Sequence, residues 1–251
     1  SNALSAEFEA WTLREGKWYH MLYKKGIEIT SVETISKAPK FPGTGKPMAK
    51  GTLVRIVPDK TIFKSAGKFP LASVMEWATI AAFFTPSFKV NVYLASGKTK
   101  QLYFPNGPID YIKAQVEKLK AEPLSKKAFI ISGNKAVDCV VQFTNFGECE
   151  FHGFTNGLRN VEGGVHVSAF YKALYESLKL YVKRGQEFRS DDLREGLIGI
   201  VNAKMSHPQF DSQTKEKLVD ERADKPLLAL LTAELKKFFA ANKTLAAAVI
   251  D

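Results

Sequence analysis

The chain has 251 residues, 45% of them apolar and 12% aromatic, with a formal net charge of +10; that is enough apolar material for a packed core, in one large domain or two ordinary ones. No apolar run reaches the roughly 18 residues of a membrane span and no basic leader precedes an apolar stretch, which excludes a membrane protein of the helical kind and leaves a cytoplasmic one as the expectation. Two cysteines, Cys139 and Cys149, match neither a redox pair nor a disulfide scaffold and are expected to be reduced and structural.

Residues 17–29, KWYHMLYKKGIEI, alternate bulky and polar side chains around Gly26, which predicts two strands joined by a turn. Residues 37–52 carry Pro39, Pro42 and Pro47 with Gly43, Gly45 and Gly51 and must be a loop. Within it Gly43-Thr44-Gly45-Lys46 invites a phosphate-loop reading, but that motif needs glycine where Lys40 stands and Ser or Thr where Pro47 stands. TLVRIV, 52–57, is a β-rich run ended by a turn at Pro58-Asp59. Residues 71–84 are apolar nearly all round, predicting a buried helix stopped at Thr85-Pro86. FKVNVYL, 88–94, should pair across Ser96-Gly97 with KQLYF, burying one face.

Residues 107–120 read as a helix with a lysine-rich exposed face. FII, DCVVQF and CEFHGF follow as strands of an expected antiparallel meander, with Cys139 half-buried. Apolar positions from Val167 to Val182 recur at spacings of three and four, predicting an amphipathic helix closed by Gly185. The preceding NVEGGVH, 160–166, could turn backbone N–H groups toward an anion, although glycine pairs at such turns more often serve geometry. Asp191 is expected to cap a short helical turn, 197–205 to form a buried strand, and Pro226–Ala248 one long helix. The order strands, helix, strand, loop, helix gives an α+β fold class. Cys139, Cys149, His152 and His166 fit no zinc spacing, so no metal ligand is expected.

The charge is concentrated. Between Thr34 and Lys120 there are fourteen Lys and Arg against four Asp and Glu, which equals the net charge of the whole chain. Such a region suits a polyanion, with a merely solubilising surface as the alternative.

Four stretches carry a resemblance: GTLVRIVPD (51–59), FTNGLRNVEGGVHVSAF (154–170), DDLREGLIGIVNAKM (191–205) and PQFDSQTKEKL (208–218). In this order and near this spacing, the chain resembles the ATPase subunit of type IIA DNA topoisomerases: DNA gyrase, topoisomerase IV and phage relatives. The resemblance implies the C-terminal part of a GHKL (Bergerat) ATPase domain over 1–106. A transducer domain over 107–251 would follow, with a ribosomal-protein-like β-α-β fold and a long C-terminal helix. It implies ATP and Mg as cofactors of the full-length enzyme. The implied partners are double-stranded DNA, a DNA-cleaving subunit or domain, and a second copy in an ATP-dependent homodimer. By resemblance Gln213 and Lys215 are the catalytic pair reaching the γ-phosphate, and Thr52 and Val54 join them in binding the nucleotide. A lysine is suited to that work, being a compact cation on a flexible stem. Ser1-Asn2-Ala3 matches what a cleaved expression tag leaves, while Asn2-Ala3-Leu4-Ser5 also resembles the family's helix after its ATP loop; on either reading the upstream base is expected to be missing and the chain alone to be monomeric and unable to turn over ATP. FDSQTKE is closer to the eukaryotic form of the loop and NVEGGVH to a bacterial or viral one, which leaves supercoiling against relaxation open. Two other classes remain: a MutL-like mismatch-repair ATPase, and a basic DNA-binding module without catalysis.

Overall fold

The computed structural model describes residues 1–64, 70–190 and 192–250. It falls into two compact units, residues 1–76 with 92–100, and residues 77–91 with 101–251.

The first unit is a four-stranded antiparallel sheet of β1 (Ser5–Arg14), β2 (Lys17–Lys24), β3 (Ile27–Ile35) and β4 (Thr52–Pro58), in the order β3-β2-β1-β4. Two-residue turns join the first three strands, at Glu15-Gly16 and Lys25-Gly26, and all four of these residues have positive φ. That is the turn whose twist matches a hairpin, and glycine at its second position takes the conformation without strain. The 17–29 reading is therefore borne out. β1 is not evident from the sequence: its AEFEAWTL hides an alternation behind polar residues on both sides, and only Asn2–Leu4 before it is helical, as a single 3-10 turn. Strand β4 starts where its sequence suggests but runs through Pro58, which pairs with Ser5 instead of opening the turn.

The helix of residues 71–84, α1 (Leu71–Phe84), forms as expected but is not buried along its length. Only Ile80, Ala82 and Phe83 are buried, while Leu71, Val74 and Trp77 are exposed. A uniformly apolar composition cannot say which turn of a helix meets the core. The hairpin β5 (Val90–Tyr93) and β6 (Thr99–Leu102) turns at Ser96-Gly97, with half-buried rather than buried positions on one face.

In the second unit α2 (Pro108–Leu119) begins with Pro108 in its first turn, where a missing N–H costs nothing, and ends at Lys120 in the left-handed conformation. The central sheet joins β7 (Phe129–Ile131), β8 (Val137–Phe143), β9 (Glu150–Thr155), β10 (Leu158–Asn160) and β12 (Leu197–Ala203) in the order β10-β9-β12-β8-β7. The expected meander is thus wrong at one place: β9 does not pair with β8. Strand β12 lies between them, antiparallel to β8 and parallel to β9. The chain leaves β9 and β10, passes through β11 (Gly163–Gly164) and α3 (Val165–Leu178), and returns as β12, a β-α-β crossover. The central slot suits LIGIVNA, every residue of which is buried.

The sheet has a core on each face. Val137, Cys139, Val141 and Phe143 of β8 meet α3 and α4 (Glu221–Ala240) through Phe170, Leu174, Leu231 and Leu235. Val140, Ile198 and Ile200 meet Phe83 and Ile112 on the other. Cys139, expected half-buried, is fully buried in the first core. The terminal helix is two helices, α4 and α5 (Lys243–Ile250), not one from Pro226 to Ala248. Asp220 caps α4, accepting from Arg222 N at 3.1 Å, so the helix starts before Pro226 and carries that proline inside it. At the break the Asn242 side chain donates to the Phe238 carbonyl at 2.7 Å. The expected Asp191 cap lies outside the described residues.

Candidate nucleotide-sensing loop

The segment after β12 folds back on itself. Asp211 N donates to Lys217 O at 3.2 Å and Val219 N to Gln209 O at 3.1 Å, flanking a bridge between Phe210 and Leu218. Leu218 is fully buried, and with Lys217 it forms β13 (Lys217–Leu218), which pairs in parallel with β11. The closing turn runs from Ser212 to Glu216 and presents Gln213, Thr214 and Lys215 to solvent.

Lys215 has φ +61°, a conformation that costs a side-chain-bearing residue about 1 kcal/mol or more. The turn is held there by its surroundings. Lys215 N donates to Ser212 O at 3.1 Å, and the Asn160 side chain donates to the Lys215 carbonyl at 2.8 Å. Asn160 is itself buried and accepts from Thr155 Oγ1 at 2.7 Å. Glu162 N reaches Glu216 O at 2.9 Å. A hydrogen bond of this kind contributes about 1 kcal/mol, so the frame offsets the strain. The Lys215 ammonium lies 5.7 Å from the centre of the Phe210 ring, and among the described residues it has no carboxylate partner. The turn therefore offers a cation without a carboxylate partner, on the same exposed turn as Gln213.

The glycine pair before α3 serves this frame. A Cβ on Gly164, whose φ is +134°, would stand 2.2 Å from Leu218 O. Only glycine lets β11 and β13 approach. At the loop's far end Asp220 accepts from Gln209 N at 3.1 Å and from Arg222 Nε at 2.8 Å, and the Arg222 guanidinium holds its carboxyl down at about 2. Arg222 Nη2 also donates to His207 O at 3.0 Å.

Thr52 and Val54 stand in the other unit. They lie on β4, an edge strand, opposite Thr12 and Ala10 of β1. Thr52 Oγ1 is 2.9 Å from Thr12 Oγ1, and Val54 is 49% exposed. With Phe8 and Ile56 they make an open, largely apolar face. The structure thus groups Thr52 with Val54 and Gln213 with Lys215, each pair within its own unit. Sequence reasoning missed Asn160 and Asp220. An N-cap signal before Glu221 could have found Asp220, but nothing local marks Asn160, whose role depends on a residue 55 positions away. The four residues weighed as a metal set are scattered: Cys139 is in the core, Cys149 Sγ contacts Tyr171 Oη at 3.3 Å, His152 lies 3.2 Å from Glu150, and His166 is enclosed in α3.

The family model described as DNA gyrase B matches residues 107–251, more than half of the chain. The chain belongs to the DNA gyrase B family. Among curated relatives it is 29% identical over 265 residues to the DNA gyrase B protein of Thermotoga maritima, covering 100% of this chain and 40% of that one. It is 29% identical over 226 residues to the Archaeoglobus fulgidus counterpart, covering 87% of this chain and 34% of that one. The chain thus spans well under half the length of these relatives. Among solved structures it is similar to the 43K ATPase domain of Thermus thermophilus gyrase B in complex with an aminocoumarin, with a TM-score of 0.72 and 25% identity, covering 99% of this chain and 67% of that one. The gyrase B structure from Myxococcus xanthus shares the fold at a TM-score of 0.79 and 22% identity, over 95% of this chain and 68% of that one. The gyrase B relationship accounts for both units together and does not favour the mismatch-repair alternative. Among the described residues no helix is long and apolar enough to cross a membrane.

Proposed function

We propose that this gyrase B family chain is the part of an ATP-driven type IIA DNA topoisomerase that couples nucleotide state to DNA strand passage. In this reading residues 1–106 end the ATPase domain and 107–251 are the transducer. The observation that carries it is the Lys215 turn: a strained backbone, held by buried struts, presenting an ammonium without a counter-ion. Lys215 donates charge to a terminal phosphate and Gln213 a hydrogen bond beside it, while Thr52 and Val54 line the adenine side of the pocket. ATP carries a terminal phosphate that is bonded to the nucleotide before hydrolysis and leaves as inorganic phosphate after it. A contact of Lys215 made only in one nucleotide state lets the turn report that state to the unit that carries it. The donors of this chain fit an anion. Among the described residues no three of His, Cys, Asp or Glu stand together to hold a metal, and in this reading Mg is a cofactor of the full-length enzyme. Duplex DNA, a DNA-cleaving partner and a second copy complete the assembly in this reading, and an enzyme of this kind works in the cytoplasm.

The test is ATP turnover and strand passage by the full-length enzyme with its partner, wild type against Lys215→Ala. The expected result is a fall in kcat of about 100-fold, with a smaller change in KM, because a contact made in the transition state appears in kcat. Unchanged turnover would reduce the loop to a structural turn.

A further inference from the structure

The four-stranded sheet has two unlike ends. At one end the carboxylates are matched: Glu7 lies 3.5 Å from Lys24 and 2.9 Å from Arg55, and Asp59 lies 4.0 Å from Lys25. At the other end stand Arg14 and Lys17, paired across the β1-β2 turn. The chain also leaves β3 opposite Trp18 and enters β4 opposite Thr12, so the segment 36–51 must cross this same end of the sheet. Spanning from one edge strand to the other means about 14 Å, three strand spacings.

The crossing segment is ordered. Phe41 N donates to Lys46 O at 2.8 Å and Met48 N to Pro39 O at 2.9 Å, making a small hairpin bridged at Lys40 and Pro47. Its tip folds onto Tyr93, the last residue of β5. The Phe41 and Tyr93 rings meet edge-on at 5.3 Å, and a Cβ on Gly43 would stand 2.7 Å from Tyr93. Lys98 and Lys100 follow Tyr93 across the β5-β6 turn, so they lie on the hairpin that the crossing segment touches. Arg14, Lys17, Lys37, Lys40, Lys46, Lys50, Lys98 and Lys100 are all exposed, and among the described residues none has a carboxylate within ion-pair distance. Glu15, in the β1-β2 turn, is the acid that interrupts them.

We propose that this end of the sheet docks the phosphodiester backbone of double-stranded nucleic acid. The inference deepens the DNA-partner reading by placing a contact surface, and it requires no nucleotide. Unpaired lysines strung across such a width match a row of phosphates, whose attraction is sequence-independent and released by salt. An anionic lipid surface would want apolar side chains to insert, whereas the tip offers Gly43, Thr44 and Gly45, and the two rings are used on each other.

The experiment is fluorescence anisotropy of the 251-residue chain with a 30-base-pair duplex of arbitrary sequence, over a salt series. Lys40→Gln/Lys46→Gln/Lys98→Gln is compared with Lys113→Gln/Lys118→Gln/Lys120→Gln on α2, after circular dichroism shows both folded. The first variant should bind at least 10-fold more weakly, with a slope of log affinity against log salt shallower by about 2.7, from roughly 0.9 per lost phosphate contact. The second should keep the wild-type slope. Equal losses in the two variants, or no loss in the first, would overturn the proposal. So would wild-type binding to phosphatidylserine vesicles that matches its binding to the duplex. Lys215→Ala should leave duplex affinity unchanged. Normal DNA binding by the first variant with impaired turnover in Lys215→Ala sinks this surface alone, and the reverse pattern sinks the nucleotide-sensing reading alone.

Discussion

Lys215 illustrates how little of a residue's setting is local. Its exposure and charge follow from a polar run between Phe210 and Leu218, but its left-handed backbone is sustained by Asn160, a buried side chain from the far end of β10. Asn160→Ala removes the donor to the Lys215 carbonyl and leaves the Thr155 hydroxyl without its acceptor, at an expected cost of about 1–3 kcal/mol. Hydrogen exchange should show the amides of 212–217 opening faster, while Lys215→Ala leaves them protected, which separates the strut from the cation it positions. Gly164 is the second such position. Gly164→Ala forces a side chain into the Leu218 carbonyl at an unfavourable φ and should lower stability by about 2–5 kcal/mol, read as the urea midpoint of the second unit.

At the scale of the element, α3 carries a titratable group that the proposed chemistry does not use. His166 is fully buried, neither ring nitrogen has a protein partner among the described residues, and burial lowers its pKa to about 4. The unfolded chain protonates this histidine near 6.5, so between about 6.5 and 4 the unfolded state binds the extra proton. His166 therefore leaves stability intact above about 6.5, reduces it progressively as pH falls to about 4, and contributes no further loss below. The expected loss is about 3 kcal/mol, from 1.36 kcal/mol per pKa unit. Urea unfolding at pH 7.5 and 4.5 checks this: His166→Gln should lose distinctly less stability than wild type over that interval. The elements themselves are largely legible in the sequence. Period-2 runs, glycine turns, Pro108 and the three-and-four spacing after Val167 each mark a structure that forms, although α3 ends at Leu178 and a 3-10 turn at Tyr181 rather than at the expected Gly185. The errors arise where a run is apolar throughout, as in α1, or where a proline reads as a boundary, as at Pro226.

For the whole molecule, the two units differ in what they bury. The largest fully buried side chains, among them Phe83, Phe143, Phe154, Phe170 and Phe239, belong to the second unit. In the first, Trp18 is the large apolar side chain buried among the described residues, and Ile27, Ile29, Val32, Val54 and Ile56 are exposed. Each fully buried large apolar side chain contributes about 1.5–3 kcal/mol, so the second unit holds most of the stabilisation. Hydrogen exchange should find β8, β12 and α3 at least 100-fold better protected than β1 to β4. Equal protection would mean that the first sheet is stabilised by something other than its own core.

The sequence by itself determined the family, the place of the proposed sensing loop and the concentration of positive charge, because these rest on residue types at short spacings along the chain. Only tertiary structure decided that β12 separates β8 from β9, that Asn160 holds the Lys215 turn, and that the segment 36–51 returns to the end of the sheet where Arg14 and Lys17 stand. Strand order and charge clustering depend on which distant segments bury each other's apolar faces, and a local pattern of side chains carries no record of that choice.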